Sequence, residues 1–214
     1  MGKSLLTAFL MLLFGASVCV AQDETKNLTL FREFKPAVVH MANGTNVKTK
    51  FANIFLKNAS LLFLRGENTM EANMEPIVSV DINDQQFVKI DDMLCAVIDS
   101  VGENVLYCAT TIDLVSYKTM LRNNVNISNI SFGDNMSYST VDLTPEEGMP
   151  LPLIPHFNYY YNGEMIKVHE REISRRLKKE KKRAYKTIIS LPDFSWVDAE
   201  SLVTLLKAIS DKQD

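Results

Sequence analysis

The feature that most constrains the fold is a succession of short apolar segments, separated by turn residues, over residues 31–111. Asn43-Gly44 lies between two of these segments, and such a pair favours a tight hairpin because both residues tolerate a positive φ. Short apolar runs at this spacing are typical of antiparallel strands. The pattern therefore predicts an antiparallel β meander, barrel-like or sandwich-like, rather than alternating βαβ units.

Eight strands are expected in this region, because each apolar run ends at residues that favour turns, such as Asn83-Asp84. Their predicted limits are residues 38–41, 47–51, 54–56, 61–64, 77–82, 86–90, 94–99 and 105–109. Asp113 has the side chain of a helix N-cap and is followed by apolar residues at helical spacing, which predicts one short helix. The next Asn- and Ser-rich stretch, residues 125–140, fits an edge strand and a loop equally well.

A proline-rich stretch follows. Four of the seven prolines lie within residues 144–155, and proline interrupts regular structure because it lacks a backbone donor and fixes φ. We therefore expect a Pro-rich linker over residues 144–156. It would separate a β-rich domain over residues 22–143 from a hairpin plus helical C-terminal region over residues 157–214.

The C-terminal region begins with a second tight hairpin, which Asn162-Gly163 favours. Two helices are expected after it, over residues 170–185 and 197–209, because each segment has an apolar stripe at helical spacing. Ser195, with Asp198 three residues later, resembles a capping box for the last helix. The predicted fold class is α+β: the meander with one short helix, then a β hairpin and two C-terminal helices.

The first 21 residues have the order of a secretory signal peptide. Lys3 is followed by an apolar run over residues 5–14 and then by small residues up to Val20-Ala21, which match the three regions of such a signal. The run is too short for a membrane anchor, which needs about 20 apolar residues. We expect cleavage after Ala21 and export, with no transmembrane span after signal cleavage.

Positive charge is concentrated in one run of the chain. Residues 22–214 contain 22 basic and 26 acidic side chains, a net charge of −4, which gives no support for a nucleic-acid partner. Residues 169–186 hold nine basic and three acidic side chains, so this run carries +6 and the rest of residues 22–214 carries −10. We define the basic patch as Arg175, Arg176, Lys178, Lys179, Lys181, Lys182 and Arg183.

Two interpretations of the basic patch are open. Charge runs usually form the solvated face of an amphipathic helix. The patch also fits electrostatic contact with an anionic envelope surface or an acidic protein partner, because a concentrated field of one sign attracts the other. Its side chains are expected to face mostly solvent, while Ile173 and Leu177 pack against the last helix.

Local motifs for catalysis, metals or cofactors are missing from the sequence. The six glycines of residues 22–214 are too far apart for a phosphate-binding loop, and no serine lies in a nucleophile elbow. The histidines, His40, His156 and His169, form no pair with zinc-ligand spacing. Adjacent acids such as Asp91-Asp92 point to opposite faces of an extended chain. We therefore assign no catalytic, metal-binding or cofactor-binding residue, and expect no cofactor.

Cys95 and Cys108 lie on the two strands that flank the turn at Gly102, so they are expected to be near neighbours across a hairpin. A cross-strand disulfide between them fits an oxidising compartment. Two small buried thiols that never meet fit equally well, because free cysteine packs as a small apolar residue.

Four segments resemble uncharacterised exported proteins of Bacteroidetes. They are NIFLKN at residues 53–58, MEANM at 70–74, LYCAT at 106–110 and LPDFSW at 191–196, and the resemblance extends over most of residues 34–209. It implies a Gram-negative cell, and therefore a location in the periplasm or on the outer cell surface. It implies no activity, ligand or site residue.

The leading functional hypothesis is an exported, non-enzymatic protein that binds or scaffolds in the bacterial cell envelope. The alternative is an enzyme whose site is assembled from distant residues with no local motif. A closed cleft with convergent titratable groups would favour the enzyme, and a shallow surface would favour the binding protein.

Overall fold

The computed structural model describes residues 28–124 and 151–210. Within these ranges one antiparallel sheet of ten strands is accompanied by four helices, which confirms the predicted α+β class and the β-rich meander. The strands are β1 (Lys35–Met41), β2 (Asn46–Phe55), β3 (Ser60–Arg65), β4 (Asn68–Glu71), β5 (Ile77–Ile82), β6 (Gln85–Ile90), β7 (Met93–Val101), β8 (Asn104–Ile112), β9 (Leu153–Tyr161) and β10 (Glu164–Lys167). The helices are α1 (Leu114–Asn124), α2 (Glu170–Arg176), α3 (Lys181–Ile189) and α4 (Ala199–Ser210).

The sheet order is β10-β9-β8-β7-β6-β5-β1-β2-β3-β4. Sequential strands are neighbours except where β5 pairs with β1 instead of β4. The hairpins form where turn residues favour them, since Gly44 and Gly163 have φ of 81° and 86°, values that glycine adopts without steric cost. Two expectations need correction: β2 joins two predicted strands into one, and β4 was not predicted because three of its four residues are polar.

The sheet curls, so that strands distant in its order meet. The Leu94 N–H donates to the Ala59 carbonyl at 2.9 Å, and the Ile112 N–H donates to the Leu56 carbonyl at 2.7 Å. These bonds join the β2–β3 loop to β7 and to the end of β8. The curled face encloses a first apolar core, whose largest members include Ile54, Ile82, Phe87 and Leu94.

A second apolar core lies between helices α2–α4 and the strands β8 and β9. Leu106 and Tyr159 supply the sheet side, and the stripe of α4 supplies the helix side. The hydroxyl of Tyr159 donates to the Leu202 carbonyl at 2.6 Å, and that of Tyr161 donates to the Ile209 carbonyl at 3.1 Å. Directional bonds therefore add to apolar burial in fixing α4 on the sheet.

The predicted linker of residues 144–156 ends too late. β9 already begins at Leu153, and it pairs with β8 from Leu153 opposite Ile112 to Tyr160 opposite Val105. Pro155 is tolerated within this strand because β10 pairs only with Asn158–Tyr161, which leaves the proline on an open edge. The sheet therefore continues across the last four residues of the expected linker.

The expectation of one helix over residues 170–185 is wrong. The backbone turns extended at Leu177, with φ −74° and ψ 133°, which ends α2 and separates it from α3. A continuous helix would have placed Lys181 one turn from both Leu177 and Tyr185, and those two side chains are buried. The helix breaks before this lysine, although its ammonium nitrogen still lies shielded from water.

The helix caps confirm one prediction and correct another. Asp113 caps α1, since its carboxylate accepts from the N–H groups of Val115 and Ser116, both at 3.0 Å. At the last helix the cap is Asp198, which accepts from the Ser201 N–H at 2.8 Å, rather than the expected Ser195. The expected start at residue 197 is accordingly two residues early.

Several expectations fall on residues that the structure does not describe. These are the signal peptide of residues 1–21, the stretch of residues 125–140 and the first part of the linker, residues 144–150. Across residues 28–124 and 151–210, none of the helices combines the length and hydropathy needed to cross a membrane.

Candidate functional site

The basic patch lies on α2, α3 and the turn that joins them. Five of its seven side chains are exposed, namely Arg175, Lys178, Lys179, Lys182 and Arg183, whereas Arg176 and Lys181 are half-buried. Ile173 and Leu177 are buried in the same core as the apolar stripe of α4, as expected. The patch is therefore a surface backed by a packed core.

One end of the basic patch is compensated by acids. The Glu172 carboxylate accepts from Arg175 at 2.9 Å and from Arg176, and Glu164 lies 3.5 Å from Arg176. The hydrogen bond from Arg176 holds the pKa of Glu172 below its ordinary value. These two arginines are thus already paired within the protein.

The other end of the basic patch is uncompensated. Within the described part of the chain, Lys178, Lys179, Lys182 and Arg183 are exposed and make no ion pair. Lys186 adds a fifth exposed cation one turn further along α3, and the sequence-based definition left it out. The one acid inside this end of the patch is Glu180, the exposed N-cap residue of α3, and it makes no ion pair in the described structure, so the cations outnumber it. The arrangement presents a cluster of positive charge directly to solvent.

Lys181 differs from its neighbours in the patch. Its ammonium nitrogen is shielded from water and finds no hydrogen-bond partner among the residues that the structure describes. Such a group lowers stability, because its lost hydration is not replaced. It cannot belong to the part of the patch that contacts a partner from outside.

The helices that carry the patch are held firmly. Tyr185 of α3 is buried, and its hydroxyl donates to the Glu170 carbonyl of α2 at 3.2 Å. The α2 N-cap is His169, whose Nδ1 accepts from the Arg171 N–H at 3.3 Å. The exposed cations are therefore carried by a backbone that is held in place by these contacts.

A groove of about 670 Å³, lined mostly by polar residues, lies between β3, β4 and the β6–β7 turn. Two of its charged side chains bond within the fold: the Lys89 ammonium donates to the carbonyls of Met74 and Glu75, at 2.8 and 2.9 Å. Glu71 accepts from Asn58 and Ser60, both at 2.7 Å. The groove is an open polar surface rather than a closed cleft.

The acids Asp91 and Asp92 line this groove at the β6–β7 hairpin. Both have positive φ, 49° and 63°, so they are the two central residues of a tight turn. No group of three or more His, Cys, Asp or Glu side chains in residues 28–124 and 151–210 could hold a metal ion.

The three histidines lie at separate places and have separate partners. His40 contacts Asp81 through Nε2 at 2.7 Å and Asn46 through Nδ1 at 2.9 Å. His156 lies 2.7 Å from the Thr111 hydroxyl, and burial lowers its pKa. The structure therefore does not bring the histidines together into one site.

Cys95 and Cys108 are free thiols, and the register explains why they do not meet. Cys108 pairs with Ala96, the residue after Cys95. Consecutive residues of a strand point to opposite faces, so the two thiols lie on opposite sides of the sheet. Burial raises the pKa of Cys95 to about 12 and also raises that of Cys108. In the structure the two thiols therefore do not meet, and Cys95 is buried while Cys108 is half-buried.

Comparison with known proteins supplies no relative. No family model matches the chain, and neither a curated protein nor a solved structure matches it. The functional argument therefore rests on the residues themselves.

Proposed function

We propose that this protein is an exported, non-enzymatic component of a bacterial cell envelope, which binds or scaffolds by attaching through the basic patch to an anionic surface. The observation that carries the proposal is the uncompensated end of the patch. Four of its cations, Lys178, Lys179, Lys182 and Arg183, are exposed without an ion pair in the described structure and are backed by a packed core. Clustered, unpaired charges of one sign attract a partner of the other sign.

The export part of the proposal rests on the signal-like N-terminal residues and on the resemblance to exported proteins. The location that we propose is the periplasm or the outer cell surface. Sequencing the N-terminus of protein isolated from its native host tests this part. We expect the chain to begin at Gln22, and recovery of Met1 or Gly2 would contradict export by this signal.

Binding to isolated cell envelopes tests the surface part of the proposal. The patch variant replaces Lys178, Lys179 and Lys182 with glutamine, together with Arg183→Gln. We expect it to bind more than tenfold more weakly than the wild type at low salt, because exposed charges act over about 10 Å at 0.1 M salt.

A matched control variant removes the same charges elsewhere. Lys48, Lys50, Lys57 and Arg65 are exposed on the strand region of the molecule, and their replacement with glutamine changes the net charge equally. We expect this control to retain wild-type binding. Equal losses in both variants would mean that only net charge matters and would refute a specific role for the patch.

A further inference from the structure

The surface next to the basic patch contains exposed apolar side chains. Leu191 and Val197, in the loop between α3 and α4, are 44 % and 69 % exposed. Lys182 and Lys186 are one turn apart on α3, and a further turn reaches Ser190 at its end, next to Leu191. The cations of α3 therefore lie next to the exposed pair Leu191 and Val197, which we call the apolar tip.

The loop that carries the apolar tip is ordered by its own contacts. The rings of Phe194 and Trp196 pack edge to face with centroids 4.9 Å apart. The Phe194 N–H donates to the Leu191 carbonyl at 3.1 Å, and the Val197 N–H donates to the Ser195 hydroxyl at 3.3 Å. The contacts within the loop thus keep the side chains of Leu191 and Val197 exposed to solvent.

Acids also lie beside these apolar side chains. Asp198 is the N-cap of α4, where it accepts from the Ser201 N–H. Asp193, Asp198 and Glu200 line one recess together with Leu191. The exposed cations outnumber these three acids and Glu180, so the balance on this side of the molecule stays positive; these cations are Lys178, Lys179, Lys182, Arg183 and Lys186.

The side-chain types of this surface indicate which anionic surface it fits. Residues 164–210 contain no Asn or Gln, and Tyr185 is buried while Phe194 and Trp196 are half-buried. Side-chain amides are thus missing, but the hydroxyl and carboxylate groups of this region still offer directional donors and acceptors, so the combination of charge with exposed apolar groups decides. Lysine and arginine beside exposed apolar groups match the headgroup and acyl boundary of an anionic membrane.

We propose that the α2–α3 surface docks on a membrane that contains anionic lipids, with the exposed cations at the headgroup phosphates and with Leu191 and Val197 entering the interface. This inference rests on the proposed function and names the partner of the same surface. The attraction of exposed cations to anionic lipid is additive and falls off within a Debye length, so several must act together.

Co-sedimentation with vesicles tests the inference directly. Vesicles of pure phosphatidylcholine are compared with vesicles that contain roughly 30 % phosphatidylglycerol, at about 0.05 M salt. We expect wild-type protein to bind only the anionic vesicles, and we expect the patch variant to bind them more than about tenfold more weakly. The variant with Lys48, Lys50, Lys57 and Arg65 replaced should match the wild type.

The apolar contribution is tested by Leu191→Ser with Val197→Ser. This pair should weaken binding to the anionic vesicles severalfold, because apolar side chains at the interface add to the electrostatic attraction. Val47→Ser with Val78→Ser is the control, since both valines are about half exposed on the sheet. Equal binding by the two double variants would overturn the apolar part of the inference.

A second arm replaces the vesicles with an acidic polysaccharide at the same salt concentration. Binding to the polysaccharide but not to anionic vesicles would overturn the membrane inference and leave the proposed function standing. If the patch variant binds cell envelopes as well as the control variant and the wild type do, and the wild type does not bind vesicles, both the membrane inference and the proposed function are contradicted. Unchanged unfolding midpoints in all variants exclude misfolding as the cause of any loss.

Discussion

At the scale of single residues, most polar side chains in the described structure either bond within the fold or face solvent. Asn53 is fully buried, and its amide group donates to the Phe31 carbonyl at 2.8 Å while its oxygen accepts from the Phe31 N–H at 3.0 Å. The Asn53 side chain, which lies on β2, therefore connects this strand by hydrogen bonds to the segment that precedes β1. Lys181 contrasts with it, because its nitrogen is shielded and unpaired.

We predict that Lys181→Met raises the free energy of unfolding by about 1 kcal/mol, because methionine has a similar shape and leaves no donor unsatisfied. Urea denaturation of the purified protein measures the change. Lys182→Met is the matched control, and its exposed position should keep the effect within about 0.5 kcal/mol. A clear loss of stability in Lys181→Met would show that the ammonium group has a stabilising partner after all.

The thiols give a second prediction. We expect two free thiols in the chain from Gln22 onwards when it is titrated under denaturing conditions without reductant. In the native protein Cys95 should be unreactive, because it is fully buried and its pKa is raised to about 12, which leaves almost no thiolate near neutral pH. Absence of free thiols after denaturation would establish the disulfide that the register disfavours.

A third prediction concerns His40 and pH. The hydrogen bond to Asp81 raises the pKa of His40 above 6.5 in the folded protein. A raised folded pKa means that the stability gained from protonation is fully present below pH 6.5 and is lost as pH rises through the folded pKa. Asp81→Asn should therefore lower the His40 pKa and weaken this pH dependence. A wild-type imidazole that titrates at or below 6.5 by NMR would refute the contact.

At the scale of elements, helix α4 is attached to the sheet by tyrosine hydroxyls as well as by apolar burial. Tyr159→Phe should lower the free energy of unfolding by about 1 kcal/mol, because its hydroxyl donates to the Leu202 carbonyl. Tyr160→Phe, at a half-exposed position on the opposite face of β9, should change it by less than about 0.5 kcal/mol. Equal effects in chemical denaturation would contradict a specific role for the Tyr159 hydroxyl.

Local patterns predicted most of these elements, because hairpins depend on a few adjacent residues. Asn43-Gly44 and Asn162-Gly163 form the expected turns, and Asp113 caps the expected helix. The break between α2 and α3 also had a local signal, since Lys181 interrupts the apolar stripe. The polar edge strand β4 had none, because its pairing with β3 depends on the fold rather than on its own residues.

At the scale of the whole molecule, the pairing of β5 with β1 and the curling of the sheet could not be predicted from local patterns. Both depend on contacts between residues far apart in sequence, such as the bond from Leu94 to Ala59. The exposure of most of the basic patch was predictable, because charged side chains are mostly exposed, whereas the half-buried positions of Arg176 and Lys181 were not. Which cations of the patch are compensated depended on Glu164 and Glu172, and only the structure shows those pairs.

The charge distribution of the whole molecule underlies the central claim. The run of residues 169–186 carries +6, and the rest of residues 22–214 carries −10. A molecule with this separation is oriented by an anionic surface, because its positive side is attracted while the remainder is repelled. The patch should therefore decide both whether the protein attaches and which side faces the surface.

Fractionation of the native host tests this claim most directly, by measuring how much protein stays with the envelope at low salt and after a wash with about 1 M salt. The account predicts that the wild type is retained at low salt and released by the wash. The patch variant, in which Lys178, Lys179, Lys182 and Arg183 are replaced with glutamine, should be released already at low salt. Retention of that variant at the wild-type level would contradict attachment through the basic patch.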